Sequence, residues 1–273
     1  MTKTVSTTTP VFALHASASG PSQWHRLSVD LAERHELIAI DLKERLFAGP
    51  NSDQGLLEEV ARFAIDAIED VGQPVHLVGH SFGGAVSLKV AALRPDLIVS
   101  LTIYEPTAFF LADTESTEEM TAMDGLRSVA DDLRAHKEAG RSDLGIRQFI
   151  AYWNGADFWD HLPESTHRRL AATASSVIAD FAAIFAETAE LKDFAALSIP
   201  TLVLSGMESP LLAQRVSARL AAAMPGARLA ILPGLNHMAP VTDPDWVNPR
   251  ICQHIAEIER NAARVCWPKP QAA

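Results

Sequence analysis

The chain has 273 residues, 48% of them hydrophobic, and a formal net charge of −11. That is apolar material enough for one α/β domain carrying an insertion, and the acidic balance argues against nucleic acid or an anionic membrane surface as partner. Two cysteines, Cys252 and Cys266, are too few for a disulfide framework and suit a reducing cytoplasm; no apolar run approaches the roughly 20 residues that span a bilayer, and the first residues, Met1 to Ser6, lack a signal-peptide core.

Val11 to Leu14 reads as the first strand, and His15 to Ser22 as a loop of small residues. Gln23-Trp24 opens a helix reaching about Arg34, and Leu37 to Ile40 is the next strand. Lys43 to Gln54 is a polar loop containing Gly49-Pro50. Leu56 to Val71 has apolar residues at helical spacing. Val75 to Val78 is a short buried strand running into Gly79-His80-Ser81-Phe82-Gly83, and Ala85 to Leu93 follows as a helix. Ile98 to Tyr104 is another strand.

After Glu105-Pro106 the alternation stops, and residues 107–196 give helical patterns with an aromatic cluster at Phe149, Tyr152, Trp153, Phe158 and Trp159. Pro200 to Gly206 restarts the sheet, and Ser209-Pro210 is expected to cap a helix ending near Met224. Arg228 to Leu232 is the last strand, Asn248-Pro249 is expected to start the final helix, and the tail from Trp267 to fray. Strands alternating with helices imply an α/β fold, a doubly wound, mostly parallel sheet. The expected division is a core of residues 1–106 and 197–273 with a helical cap of residues 107–196 over the carboxyl edge of the sheet.

Gly79 to Gly83 matches G-x-S-x-G in the strand–turn–helix context of a nucleophile elbow. A serine hydroxyl needs a base within reach and a partner that orients the base. His237, on the loop after the last strand, is the candidate base; His76 and His80 read as structural. The N–H of Phe82 and that of Ser17, with Ala16 next in line, are the candidate oxyanion donors.

These residues together resemble the α/β-hydrolase superfamily. Leu14 to Ser17 is similar to its L-H-G-x oxyanion loop, and Leu235 to Pro240 to its G-H-M-x-P histidine loop. Ala16 and Asn236 stand where glycines are usual, and Asp41 to Phe47 lacks the glycines usual after that strand. The family's acid follows the strand Leu202 to Leu204, three residues beyond a glycine, and here that position is Ser209, which carries no charge. Glu208 is one position early. Glu105, at the carboxyl end of the strand after the elbow, is the preferred acid, with Glu208 as its competitor; some dehalogenases of the superfamily resemble this placement.

The resemblance implies a serine hydrolase cleaving a small-molecule carboxylic ester through an acyl-enzyme, with Ser81, His237 and Glu105 as its triad and Trp153 or Trp159 lining the substrate pocket. A lactonase, a carbon–carbon bond hydrolase with the same triad, and a hydrolase-fold binding protein are the alternatives. No His/Cys/Asp cluster shows metal-ligand spacing, so no metal or other cofactor is expected.

Overall fold

The computed structural model describes residues 8–47 and 55–265. Gly49-Pro50, Cys266 and the tail from Trp267 lie outside them. Six strands, β1 (Val11–Leu14), β2 (Leu37–Ile40), β3 (Val75–His80), β4 (Ile98–Tyr104), β5 (Thr201–Gly206) and β6 (Ala227–Leu232), form one parallel sheet in the order β2-β1-β3-β4-β5-β6. Every residue of β1, β3 and β5 is buried. Parallel strands covered on both faces need continuous apolar runs, which is why these segments do not alternate with polar residues.

The two faces carry different helices. Val11, Ala13, Val78 and Leu204 pack with Trp24, Leu27 and Leu31 of the first helical segment and with Val247, Ile251 and Ile255 of the last. These lie on α1 (His25–Leu31), which a 3₁₀ turn at Pro21–Trp24 precedes, and on the final helix, Pro244–Val265. Phe12, Leu14 and Leu77 face the other way, onto α2 (Leu56–Glu69) and α3 (Phe82–Leu93). α2 buries Leu57, Val60, Ala61, Ala64, Ile65 and Ile68, one helical stripe. α3 buries most of its circumference, as expected of a helix enclosed within the fold.

Between β4 and β5 the chain forms α4 (Thr117–Glu138), α5 (Ser142–Asn154), α6 (Glu164–Ala171), α7 (Ala174–Ala186) and α8 (Leu191–Ala195). After β5 come α9 (Leu211–Ala223), then β6, α10 (Ala239–Thr242) and α11 (Pro244–Val265). Glu119 of α4 meets Arg219 of α9 through two hydrogen bonds of 2.7 and 3.1 Å, tying the inserted helices to the sheet's own layer. Among the described residues no single helix is long and apolar enough to cross a membrane.

Two expected helix starts are corrected. α9 begins at Leu211 without a side-chain cap, and the Ser209 hydroxyl has no partner among the described residues. α11 begins at Pro244, which suits a first helical position, and Pro249 falls inside it. Asn248 therefore lies inside the helix and not at its start, and its amide donates to Asp30 on α1, at 2.7 Å.

The connection from β1 leaves toward β2, and that from β3 leaves toward β4 on the opposite side. A crevice opens at the carboxyl ends of β1 and β3, where the strand order reverses; ligands of open α/β sheets bind at such points.

Candidate active site

Ser81 sits at that crevice, between β3 and α3, with φ 56° and ψ −119°. These are values that a non-glycine residue holds only when its surroundings enforce them. The enforcement is visible in the packing. The Ser81 N–H donates to the Tyr104 carbonyl at 3.0 Å, and its own carbonyl accepts from Thr107 at 3.1 Å. The elbow also needs its glycines: a Cβ on Gly79 would lie 2.6 Å from the Gly83 carbonyl oxygen, and one on Gly83 would lie 2.3 Å from that of Leu14. Both obstacles are backbone. Gly83→Ala should therefore push β1 and the loop after it away from Ser81, lowering the melting temperature by roughly 5–10 °C. Thermal unfolding followed by circular dichroism checks this, and an unchanged midpoint contradicts it.

His237 reaches Ser81 from the loop between β6 and α10. Its Nε2 lies 2.9 Å from Ser81 Oγ, and its Nδ1 lies 2.8 Å from Glu105 Oε2. A carboxylate only accepts, so Nδ1 carries the proton and Nε2 is free to accept the serine's. Glu105 follows β4, is fully buried and holds φ at 41°. Its other oxygen accepts from Ser205 Oγ at 2.8 Å and from the Gly206 N–H at 2.7 Å. Three donors thus compensate a carboxylate removed from water. Glu208 is exposed, and its backbone N–H holds the Leu235 carbonyl at 2.9 Å. A hydroxyl held against an imidazole whose far nitrogen meets a carboxylate can lose its proton to that ring.

The loop after β1 passes the same point. The Ala16 N–H is occupied by Gln23 Oε1 at 3.1 Å. The Ser17 N–H donates to no acceptor among the described residues, and neither does that of Phe82, the first residue of α3. An N–H at a helix start has no partner in its own helix and favours negative charge in front of it.

His80 is structural, and its partners show how. Its Nε2 faces the His237 carbonyl at 2.8 Å, so Nε2 is protonated and Nδ1 accepts from Gln23 Nε2 at 3.1 Å. One chain of hydrogen bonds therefore runs from Ala16 through Gln23 and His80 to the backbone of His237. Tyr104 holds the adjoining Asn236 carbonyl at 2.7 Å, and the Asn236 side chain accepts from Met238 N–H at 2.9 Å, which braces this loop where the family's glycine is absent. His76, against Ser100 Oγ at 2.7 Å, is also structural. The glycine-poor segment after β2 forms a 3₁₀ turn at Leu42–Phe47, and the Leu42 N–H donates to His15 Nε2 at 3.0 Å.

Desolvation holds the buried histidines below the usual imidazole range: His76 at about 4, His80 well below its ordinary value with His237 adding to the effect, and His15 and His254 lower as well. The unfolded chain therefore binds protons that the folded chain refuses. Their contribution is fully present above the unfolded value near 6.5 and declines as the pH falls toward 4. Asp180, pushed up to about 7 by burial, acts in the opposite sense with a single proton. Urea unfolding should show stability falling between pH 6.5 and 5, with His76 alone worth about 2 kcal/mol. A flat profile contradicts this.

Trp153 stacks on His237 with ring centroids 3.9 Å apart and borders both cavities beside Ser81. Trp159 does not. It starts a short 3₁₀ turn and stacks on His167 at 4.2 Å, outside both cavities, so its assignment to the substrate site is corrected. Phe158, its neighbour, borders the larger cavity instead. The sequence reading missed Gln23, Thr107 and Asp180. Asp180 carried a signal, since it is a lone acid among Val177, Phe181 and Ile184 on one helical face.

Comparison with known proteins bears on the family and the fold. The chain is 32% identical over 97 residues to the dihydrolipoyllysine-residue acetyltransferase component of the acetoin cleaving system of Pseudomonas putida, covering 35% of this chain and 26% of that protein. It is 31% identical over 141 residues to Lipase LipV of Mycobacterium tuberculosis, covering 48% and 50%. It thus spans about a quarter of the length of the first relative and half that of the second. A thermophilic esterase from Thermogutta terrifontis shares the fold with a TM-score of 0.68 over 92% of this chain and 90% of its own, at 22% identity. A family model described as the alpha/beta hydrolase family matches residues 11–250, most of the chain, and the protein belongs to that family.

Proposed function

We propose that this hydrolase-family protein cleaves a small-molecule carboxylic ester through an acyl-enzyme formed on Ser81. The observation that carries the reading is the unbroken sequence of contacts from Ser81 Oγ to His237 at 2.9 Å and from His237 to Glu105 at 2.8 Å. Ser81 Oγ attacks the carbonyl carbon while His237 Nε2 takes its proton. The N–H groups of Phe82 and Ser17 receive the oxyanion; one such donor typically contributes about 10²–10³ in rate. The intermediate collapses, the alcohol leaves with the proton from Nε2, and water then repeats the sequence against the acyl group.

Two cavities meet at Ser81, one of about 20 Å³ and one of about 170 Å³. His237, which must protonate the leaving oxygen, borders only the larger; Phe82, an oxyanion donor, borders only the smaller. The alcohol therefore belongs in the larger cavity and the acyl group in the smaller. Residues 107–196 serve as the cap over both, since Phe149 and Trp153 border each of them.

A panel of p-nitrophenyl esters from acetyl to octanoyl tests this. Turnover should be highest for two to four carbons and fall at least about tenfold by eight, because the smaller cavity ends on packed aromatic rings. No turnover across the panel, or a preference for long chains, contradicts the reading. Faster cleavage of lactones or of carbon–carbon bonds would favour those chemistries on the same residues.

A further inference from the structure

We propose that the smaller cavity is a subsite for a short hydroxyacyl group, whose hydroxyl is held between the Asp180 carboxyl and the Thr107 hydroxyl; this rests on the reading of Ser81 as the ester-cleaving nucleophile. A pocket meant only for a hydrocarbon acyl group would be apolar throughout. Most of this one is, with Phe82, Phe109, Phe149 and Trp153 among its walls. Asp180 and Thr107 break that pattern. They are 6% and 7% exposed, so each is a polar side chain withdrawn from solvent and bordering the reaction cavity.

Both have unused hydrogen-bonding capacity. The Asp180 Oδ2 accepts from Ser17 Oγ at 2.5 Å. A carboxylate has about four acceptor sites, so one donor leaves most of them open. Thr107 Oγ1 has no partner among the described residues, and buried polar groups in folded proteins are seldom left that way. A joint between α7 and the β1 loop would need only a neutral group to meet Ser17. A carboxyl placed here costs more in desolvation than an amide and calls for a partner that repays it.

A hydroxyl is the group that fits both neighbours: it donates to the carboxyl and accepts from the threonine. An ammonium can only donate, which leaves the Thr107 proton without an acceptor, and a keto oxygen has no proton for the carboxylate form of Asp180. Burial pushes the Asp180 carboxyl up to about 7, so both of its forms are present near neutral pH, and a hydroxyl pairs with either. The cavity of about 20 Å³ has room for little beyond one water-sized group, which limits the acyl chain to a few carbons.

The test compares kcat/KM for matched phenyl esters: glycolyl against acetyl, lactyl against propionyl, and 3-hydroxybutyryl against butyryl. Fluorophosphonate labelling of Ser81 is read in parallel. At least one pair should favour the hydroxylated acyl group by about 10²-fold, since a site built to bond a hydroxyl rejects its absence strongly. Thr107→Val and Asp180→Val should each reduce that ratio at least tenfold, and Thr107→Ser should keep it. If Asp180→Val does not fold, Asp180→Asn, which can still accept from Ser17, should lower the ratio while the melting temperature holds. Equal kcat/KM in all three pairs with Ser81 still labelled overturns the subsite and leaves the hydrolase reading intact. A preference that survives both valine variants overturns it as well. Absence of both turnover and labelling overturns the two together.

Discussion

Glu105→Gln should lower kcat by about 10⁴-fold while leaving the fold intact. The amide is isosteric, but it must choose an orientation. On one side stands the Gly206 N–H, 2.7 Å away, a backbone donor that cannot turn. The amide oxygen therefore stays with Gly206 and Ser205, and the NH₂ group faces His237 Nδ1. That nitrogen must then accept, which moves the ring's proton to Nε2, the atom that has to receive the serine's. The histidine would be well placed and in the wrong tautomer. Glu208→Gln should change kcat by no more than about twofold, because that side chain is exposed and the residue's tie to the fold is its backbone N–H to Leu235. Steady-state kinetics on both variants decides the matter. Loss of activity in Glu208→Gln with Glu105→Gln unaffected would reverse the assignment of the acid.

Much of the frame was legible from local pattern. The inner strands β1, β3 and β5 are buried runs bounded by loops, and parallel pairing follows from the alternation of strands with helices. The elbow was legible because its glycines answer a steric demand within five residues of chain. His237 could be placed because the loop after the last strand has to pass the elbow. Glu105 was legible from its place at a strand's carboxyl end together with the uncharged Ser209 at the family's usual position, and it lies 2.8 Å from His237.

What stayed hidden depends on contacts between distant segments. Nothing near Gln23 in the sequence says that it bridges Ala16 and His80, the latter 57 positions away from it. The orientation of Trp159 was likewise beyond sequence pattern. Two tryptophans six positions apart are equally aromatic, and only the path of the chain through the 3₁₀ turn at Trp159–His161 sends one ring onto His237 and the other onto His167. The helix starts at Leu211 and Pro244 were misplaced because Ser209 and Asn248 carry capping side chains that serve elsewhere or find no partner.

The largest effect belongs to Ser81. Its hydroxyl is the atom that bonds to substrate, so Ser81→Ala should reduce kcat by roughly 10⁶-fold, to the residual rate that binding and the oxyanion donors sustain. The most direct measurement is covalent. The protein is treated with a fluorophosphonate, digested and mapped by mass spectrometry, alongside Ser81→Ala and Glu105→Gln. One adduct on Ser81, absent from Ser81→Ala and formed far more slowly in Glu105→Gln, is the expected result. An adduct on another serine that persists in Ser81→Ala, or no adduct on the native protein, would contradict Ser81 as the nucleophile.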